Sequence, residues 1–461
     1  MDLLARSALL LWPLAALAAF AVMRSRRAAL FVLLVGWSFL PVVVIDLPGM
    51  AAYDKTAAVG SSLFLGMAIF APGRLTRLRP KWIDLPIAIL CLTPFLSSIT
   101  NGLGPYDGLS GAFRQTVQWG VPWVVGRACF AYRSSHRELV FGIMLAGLTY
   151  VPLVLFELRF SPQLHRIVYG SHQHMFLQTM RFGGWRPMVF QHHGLMLGMW
   201  MVAASMCAYV LWRSRQLRRL GGVSFFPIML VLLVVTVLCK STGALVLMFL
   251  GLMTLEGCSR LRWKWPVSVL MAIPVAYIVM RASGHWSGDD LIQFARIFGA
   301  DRAQSVEYRI VNESILIERA MQRPLFGWGG WGRPNTVHLP GGGSYMITID
   351  GLWILMLAMH GLVGLTAFAA TLALPVLSAL RRLPPVTWTR RSGGPTAVLS
   401  ILALLFFADG LMNAMLNPVF LVAAGGLAGY ATLPRRKRAR TRLGRELQDA
   451  ALAEPALNAA L

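Results

Sequence analysis

FFPIMLVLLVVTVLCKSTGALVLMFLGLMTLE, residues 225 to 256, holds two apolar runs interrupted by Lys240, Ser241 and Thr242. A helix needs about 20 apolar residues to cross hydrocarbon roughly 30 Å thick, and each run approaches that length. They read as spans over 222–239 and 241–257 that turn at the lysine. The same pattern recurs at 7–23, 28–46, 56–72, 82–99, 113–131, 138–156, 188–212, 265–281, 351–380, 395–412 and 414–433. The expected fold is all-α and membrane-integral, a polytopic bundle of about 12–13 transmembrane helices. With 56% hydrophobic and only 13% charged residues, the composition excludes an ordinary soluble domain. Ten-residue alternating segments of the membrane β-barrel kind are absent.

Charge then sets the expected orientation, because Lys and Arg stay cytoplasmic during insertion. Arg24, Arg26 and Arg27 begin a series continued by Arg74 to Lys81, Arg133 with Arg137, Arg213 to Arg219, Arg260 to Lys264 and Arg381 to Arg391. A last cluster, Arg435 to Arg440, opens a basic segment, 435–461, expected to be cytoplasmic and flexible after a membrane domain over 1–434. The net charge of +24 is this topology signal, and nucleic acid is not an expected partner. The first span lacks a small-residue cleavage site before Arg24 and reads as retained. Cys91, Cys129, Cys207, Cys239 and Cys258 show no paired spacing, so neither disulfides nor a zinc site is expected.

Two segments on the opposite, periplasmic side are long, 157–187 and 282–350. In the second, Ser305 to Gln322 reads as an amphipathic helix with Val306, Ile310, Ile317 and Met321 on one stripe and Pro324 ending it. Arg309 and Glu313, four apart, are spaced for a surface pair. Gly327-Trp328-Gly329-Gly330-Trp331-Gly332 follows. Its glycines allow tight turns, and Trp328 and Trp331 suit either an interfacial belt or stacking on a sugar ring.

Tyr308-Arg309, Pro324-Leu325-Phe326-Gly327-Trp328-Gly329, Ile349-Asp350-Gly351-Leu352-Trp353 and Gly361-Leu362-Val363-Gly364, in that order, resemble the O-antigen ligase and O-antigen polymerase superfamily. Upstream, Lys240-Ser241-Thr242-Gly243-Ala244-Leu245 resembles its Ser-basic-Gly-Ala helix start, and Arg186-Pro187 with His192-His193-Gly194 its Arg-Pro and His-Gly pattern. The likeness covers roughly residues 185 to 365. Many ligases carry His-Asn where this chain has Asp350-Gly351, and Lys240 stands in for an arginine; the aspartate resembles the exopolysaccharide-polymerase side.

The resemblance implies transfer of a glycan from a polyprenyl diphosphate carrier to a hydroxyl of an acceptor glycan at the outer face, without a cofactor, alongside other polysaccharide-assembly proteins. A leaving diphosphate needs cationic donors, for which Arg309, Lys240, Arg186 and Arg127 are the candidates; Arg127 lies within an apolar span with Arg114, Gln115 and Gln118, where a charge is costly. An acceptor hydroxyl needs a base, and Asp350 is the first candidate, with helix capping as the bland alternative; His338 and His360 are the others. His192 and His193, in the first turns of a span, suit orientation of the glycan or polar packing. His165, His172 and His174 suggest metal only weakly. Asp409, Asn413 and Asn417, four apart, read as polar glue between helices. A lipid-linked oligosaccharide flippase, an O-antigen ligase acting on lipid A core, and a scaffold without chemistry are the other classes; a flippase would show two similar halves, which are not seen.

Overall fold

The computed structural model describes residues 3–46, 51–297, 299–330, 332–338 and 344–434, with backbone alone at 302, 337 and 338. It is 72% helical with almost no sheet, an all-α polytopic membrane protein. The compact unit is Met1–Ala431, and Thr432–Leu461 forms a separate unit described only at 432–434. The basic cluster from Arg435 lies outside the described residues.

The first half contains α1 (Leu3–Val22), α2 (Ser25–Phe39), α3 (Lys55–Phe70), the short α4 (Pro72–Thr76), α5 (Leu85–Thr100), α6 (Pro105–Gln115), α7 (Val121–Cys129), α8 (Arg133–Phe160) and the short α9 (Leu164–Tyr169). The second contains α10 (Gly194–Arg213), α11 (Phe225–Leu238), α12 (Thr242–Leu261), α13 (Trp265–Ala282), α14 (Asp289–Arg296), α15 (Ala300–Ala320), α16 (Leu352–Arg381), α17 (Gly394–Asp409) and α18 (Pro418–Thr432). Three short antiparallel strand pairs join them, 180–181 with 184–185, 219–220 with 223–224 and 336–338 with 344–346. Among the helices, seven are long and apolar enough to cross a bilayer, and four shorter ones are apolar.

The boundaries differ from expectation where local chemistry intervenes. The span expected at 28–46 stops at Phe39, because Pro41 restricts Leu40 to extended backbone. The span expected at 113–131 is a composite of α6, a π turn over Thr116–Gly120, and α7. α10 starts at Gly194, so His192 and His193 precede the helix rather than occupying its first turns. The expected Ser305–Gln322 helix is α15, longer at its start.

α10, α17 and α18 are buried almost along their whole length and form the centre. Peripheral helices instead expose apolar side chains, such as Leu10 and Leu14 of α1, Val234 of α11 and Phe249 of α12. Apolar groups facing outward in this way fit a hydrocarbon solvent.

The basic loops meet at one end. Arg26 pairs with Glu138 at 3.0 Å, Arg74 bonds Ser25, Arg133 bonds the Tyr430 hydroxyl, Arg137 bonds the Gln216 carbonyl, and Lys264 bonds the Leu380 carbonyl. At the opposite end Lys55 bonds the Phe190 carbonyl, Lys240 the Arg181 carbonyl, and Arg333 pairs with Asp107. The described parts of the long segments 161–193 and 283–351 belong to this second end.

Candidate functional site

α16 is broken at Gly361, whose backbone (φ 64°, ψ −167°) is not helical. The break strands helix donors and acceptors, and the Pro324–Gly329 segment takes them up. Trp328 N–H donates to Ala358 O at 2.9 Å and Gly329 N–H to Met359 O at 3.0 Å, while Leu362 N–H donates to Pro324 O at 2.7 Å and Val363 N–H to Leu325 O at 3.2 Å. Backbone lies on backbone so closely that a Cβ at Gly327 would come within 2.5 Å of Met359, and one at Gly361 within 2.3 Å of Leu325. Only glycine meets both the positive φ and the contact. Ser97 and Asn101 of α5 bond the Gly327 carbonyl and fasten the joint.

A second joint holds the middle of α15. Glu313, buried, accepts from Arg281 Nε at 2.6 Å, Trp353 Nε1 at 3.0 Å and the Tyr277 hydroxyl at 3.0 Å. Arg281 uses its remaining nitrogens on the carbonyls of Trp286, Ser287 and Ile310 and on Ser314. The expected surface pair of Arg309 with Glu313 is therefore corrected: burial turns Glu313 toward Arg281 and leaves Arg309 to another neighbour.

That neighbour is Asp350. Arg309, Glu313, Thr348, Asp350, Leu411 and Met412 line one narrow cleft of about 10 Å³, roughly the room one water needs. Tyr308 bonds Thr348 at 3.1 Å across its rim. Half-buried Arg309 has no hydrogen-bond partner among the described residues, and Asp350 Oδ2 is buried without one. Capping does not occupy Asp350, since Gly351 is the N-cap of α16 and no side chain caps it. Burial raises the Asp350 carboxyl above its ordinary value, and the Arg309 charge pulls it partly back. The Arg309 charge also acts on Asp409 and on His193.

Neither Lys240 nor Arg186, both expected to join Arg309 on the diphosphate, lines this cleft. Lys240, between α11 and α12, has a left-handed backbone (φ 53°), a strained conformation for a side-chain-bearing residue. Its Nζ donates to Arg181 O at 3.1 Å, and Arg186 Nη2 donates to Lys240 O at 3.2 Å. Glu157 fixes the chain that follows, accepting from the N–H groups of Met188 and Val189, each at 2.7 Å. His193 then caps α10 by accepting from Leu195 N–H at Nδ1. Its ring lies 4.7 Å from that of His174. Burial, then the charges of Arg186 and its neighbours, push its pKa down to about 3, so it is neutral with its proton on Nε2. His192 turns away toward Lys55 and Asp54, with its pKa pushed down to about 4 by burial.

Other expected positions fall elsewhere. Arg127 is corrected: it pairs with Asp84 at 2.7 Å and bonds the Arg79 carbonyl at the basic end, a satisfied ion pair away from the cleft. Trp328 donates Nε1–H to Arg319 O and lies 4.3 Å under the Arg319 guanidinium, so that ring face is already covered. Trp331 and the side chain of His338 lie outside the described residues. His360 is buried just before the break and lines a different cavity. His165 and His172 are engaged by backbone groups at both ring nitrogens. The Asp409, Asn413 and Asn417 stripe is corrected too: α17 ends at Asp409, Asn413 bonds Asp409 at 2.6 Å, and Asn417 accepts from Val419 N–H at the start of α18, all local contacts.

Arg281, Tyr277 and Glu157 escaped the sequence reading, and Glu313 entered it only as a surface partner of Arg309. Arg281 and Glu157 carried a signal, each being an ionisable residue near the end of an apolar run. Compared with known proteins, the chain matches no family model and no curated protein.

Proposed function

We propose that this chain is a metal-independent membrane glycosyltransferase, which polymerises or transfers polyprenyl-diphosphate-linked oligosaccharide to build exopolysaccharide. The observation that carries the reading is the unpartnered Arg309 guanidinium facing the orphaned Asp350 carboxylate in one cleft. A charged pair of this kind, held by two joints and satisfied by nothing among the described residues, suits a ligand that completes both. The end bearing the cleft is the periplasmic face of a bacterial inner membrane, because the basic loops gather at the other end and stay cytoplasmic, with the C-terminus on their side.

In this reaction an acceptor hydroxyl oxygen forms a bond to the donor's anomeric carbon while the bond from that carbon to the diphosphate breaks. Asp350 takes the hydroxyl proton, and its raised pKa makes it a better base than an ordinary carboxylate. Arg309 stabilises charge gathering on the diphosphate, and Lys240, Arg186 and neutral His193 supply further donors beside it.

The test is incubation of the purified, reconstituted protein with a polyprenyl-diphosphate oligosaccharide, read as glycan ladders on a gel. Extending ladders with the lipid-linked glycan as its own acceptor are the expected result, and they persist in excess EDTA. A product formed only on added lipid A core would make the chain a ligase instead. No product with either acceptor would overturn the reading.

A further inference from the structure

α6 is inverted relative to a helix of a soluble protein. Tyr106, Leu109 and Phe113, three and four apart, are exposed, while Asp107, Ser110 and Arg114 form the other stripe and line a cavity together with Gln118 of the turn that follows. Apolar side chains outward and polar ones toward an internal space are what a membrane helix beside a hydrophilic ligand requires. The π turn Thr116–Gly120 lies directly after it, and such turns recur at functional sites.

The cavity measures about 430 Å³, within the range of small-ligand sites. Two polar side chains in its wall have atoms with no partner among the described residues. Gln115, 9% exposed, has its Nε2 without a hydrogen bond, and His360, 3% exposed, has its Nδ1 without one. They come from different helices, α6 and α16, and both line the same space. A buried polar group left unmatched costs stability, so two in one cavity point to a ligand that supplies the missing bonds.

An amide donor, an imidazole nitrogen and the Ser110 hydroxyl offer donors and acceptors together, which hydroxyl groups can match from either side. Trp119 and Met356 add apolar surface for a C–H face. The cavity adjoins the Arg309 cleft: consecutive residues Gly351 and Leu352 line one and the other, as do Leu411 and Ala414.

We propose that this cavity holds one pyranoside ring of a glycan, as a sugar site separate from the Arg309–Asp350 cleft. Its assignment to the acceptor glycan rests on the reaction proposed above; its preference for a glycoside does not.

Saturation-transfer NMR tests this with the full chain in nanodiscs and a panel of methyl glycosides: β-glucoside, α-mannoside, β-galactoside and β-glucuronide. At least one should receive saturation from the wild type. Gln115→Leu and His360→Phe should each weaken that binding about tenfold, the size of one lost hydrogen bond, while Arg309→Ala leaves it unchanged. The two cavity variants should match or exceed wild-type thermal stability, because each removes an unmatched polar group. No saturation of any glycoside, or binding unchanged in both variants, overturns the proposal. So does native mass spectrometry showing a lipid chain that Gln115→Leu retains and glycosides do not displace. Glycoside binding that depends on Gln115 in a protein yielding no transfer product would leave this site standing and remove the reaction; product without glycoside binding would do the reverse.

Discussion

Helix α15 carries two acid–base pairings one turn apart, and they are opposites. At Glu313 the carboxylate and Arg281 are both buried, and the guanidinium donates to five oxygens from two segments, residues 286–287 and α15 itself. At Arg309 the guanidinium donates to nothing among the described residues, and its acidic neighbour Asp350 keeps a buried oxygen unused. Glu313 lines the same cleft as Arg309 and Asp350. The contrast separates a charge that builds the fold from one that the fold presents, a distinction that residue type alone does not give.

The largest expected effect tests the first pairing. Arg281→Ala leaves Glu313 buried and unpaired, and breaking a buried pair from one side costs about 3–5 kcal/mol. Monodisperse protein recovered from membranes should fall sharply, and thermal unfolding of the remainder should shift down by many degrees. The double change Arg281→Met with Glu313→Leu removes both charges and should recover much of that loss. Full stability in Arg281→Ala alone would mean that the joint is not what holds α15.

Arg309→Ala should do the reverse. With no bond to lose among the described residues it folds and inserts as wild type, yet transfer falls about 10²- to 10³-fold, the usual cost of removing a donor aimed at developing charge. Arg309→Lys restores the charge without the planar fork and should stay well below wild type. Initial rates of ladder formation, normalised to folded protein, measure both. If Arg309→Ala were unfolded while Arg281→Ala were merely inactive, the two roles would have to be exchanged.

How far the sequence disclosed this contrast follows from what each feature depends on. Apolar runs long enough to span hydrocarbon are local, so every expected span found its helix, and basic loops announced one end of the bundle. Helix ends shifted where Pro41 or the π turn at Thr116–Gly120 acted on the backbone. Arg309 and Asp350 were both singled out, and the structure brings them into one cleft. The partner of Glu313 was read wrongly, because spacing four apart on one helix is visible in a string whereas a contact with Arg281 across 32 residues is not. Arg127 misled for a related reason: a charge in an apolar run is equally costly whether its partner is a ligand or, as here, Asp84. The role of Gly361 was likewise hidden, since it exists only once Leu325 lies against it.

The smallest expected effect is a shift in pH dependence, and it tests whether Arg309 and Asp350 act on one another. Burial lifts the Asp350 carboxyl above its ordinary value of 3.8, and Arg309 opposes the lift. A base works only when deprotonated, so kcat/KM should decline as pH falls through this pKa, with the acid limb above the range of exposed carboxylates. Arg309→Gln removes the opposing charge, leaves burial in place, and should therefore move the limb to higher pH, on top of its lower plateau. Asp350→Asn should abolish the limb along with most of the activity. The sign is the decisive part: a limb that moved to lower pH in Arg309→Gln, or stayed where it was, would mean that the titrating base lies beyond the reach of the Arg309 charge. The base would then have to be sought away from α15, and the cleft would keep only its role as a diphosphate site.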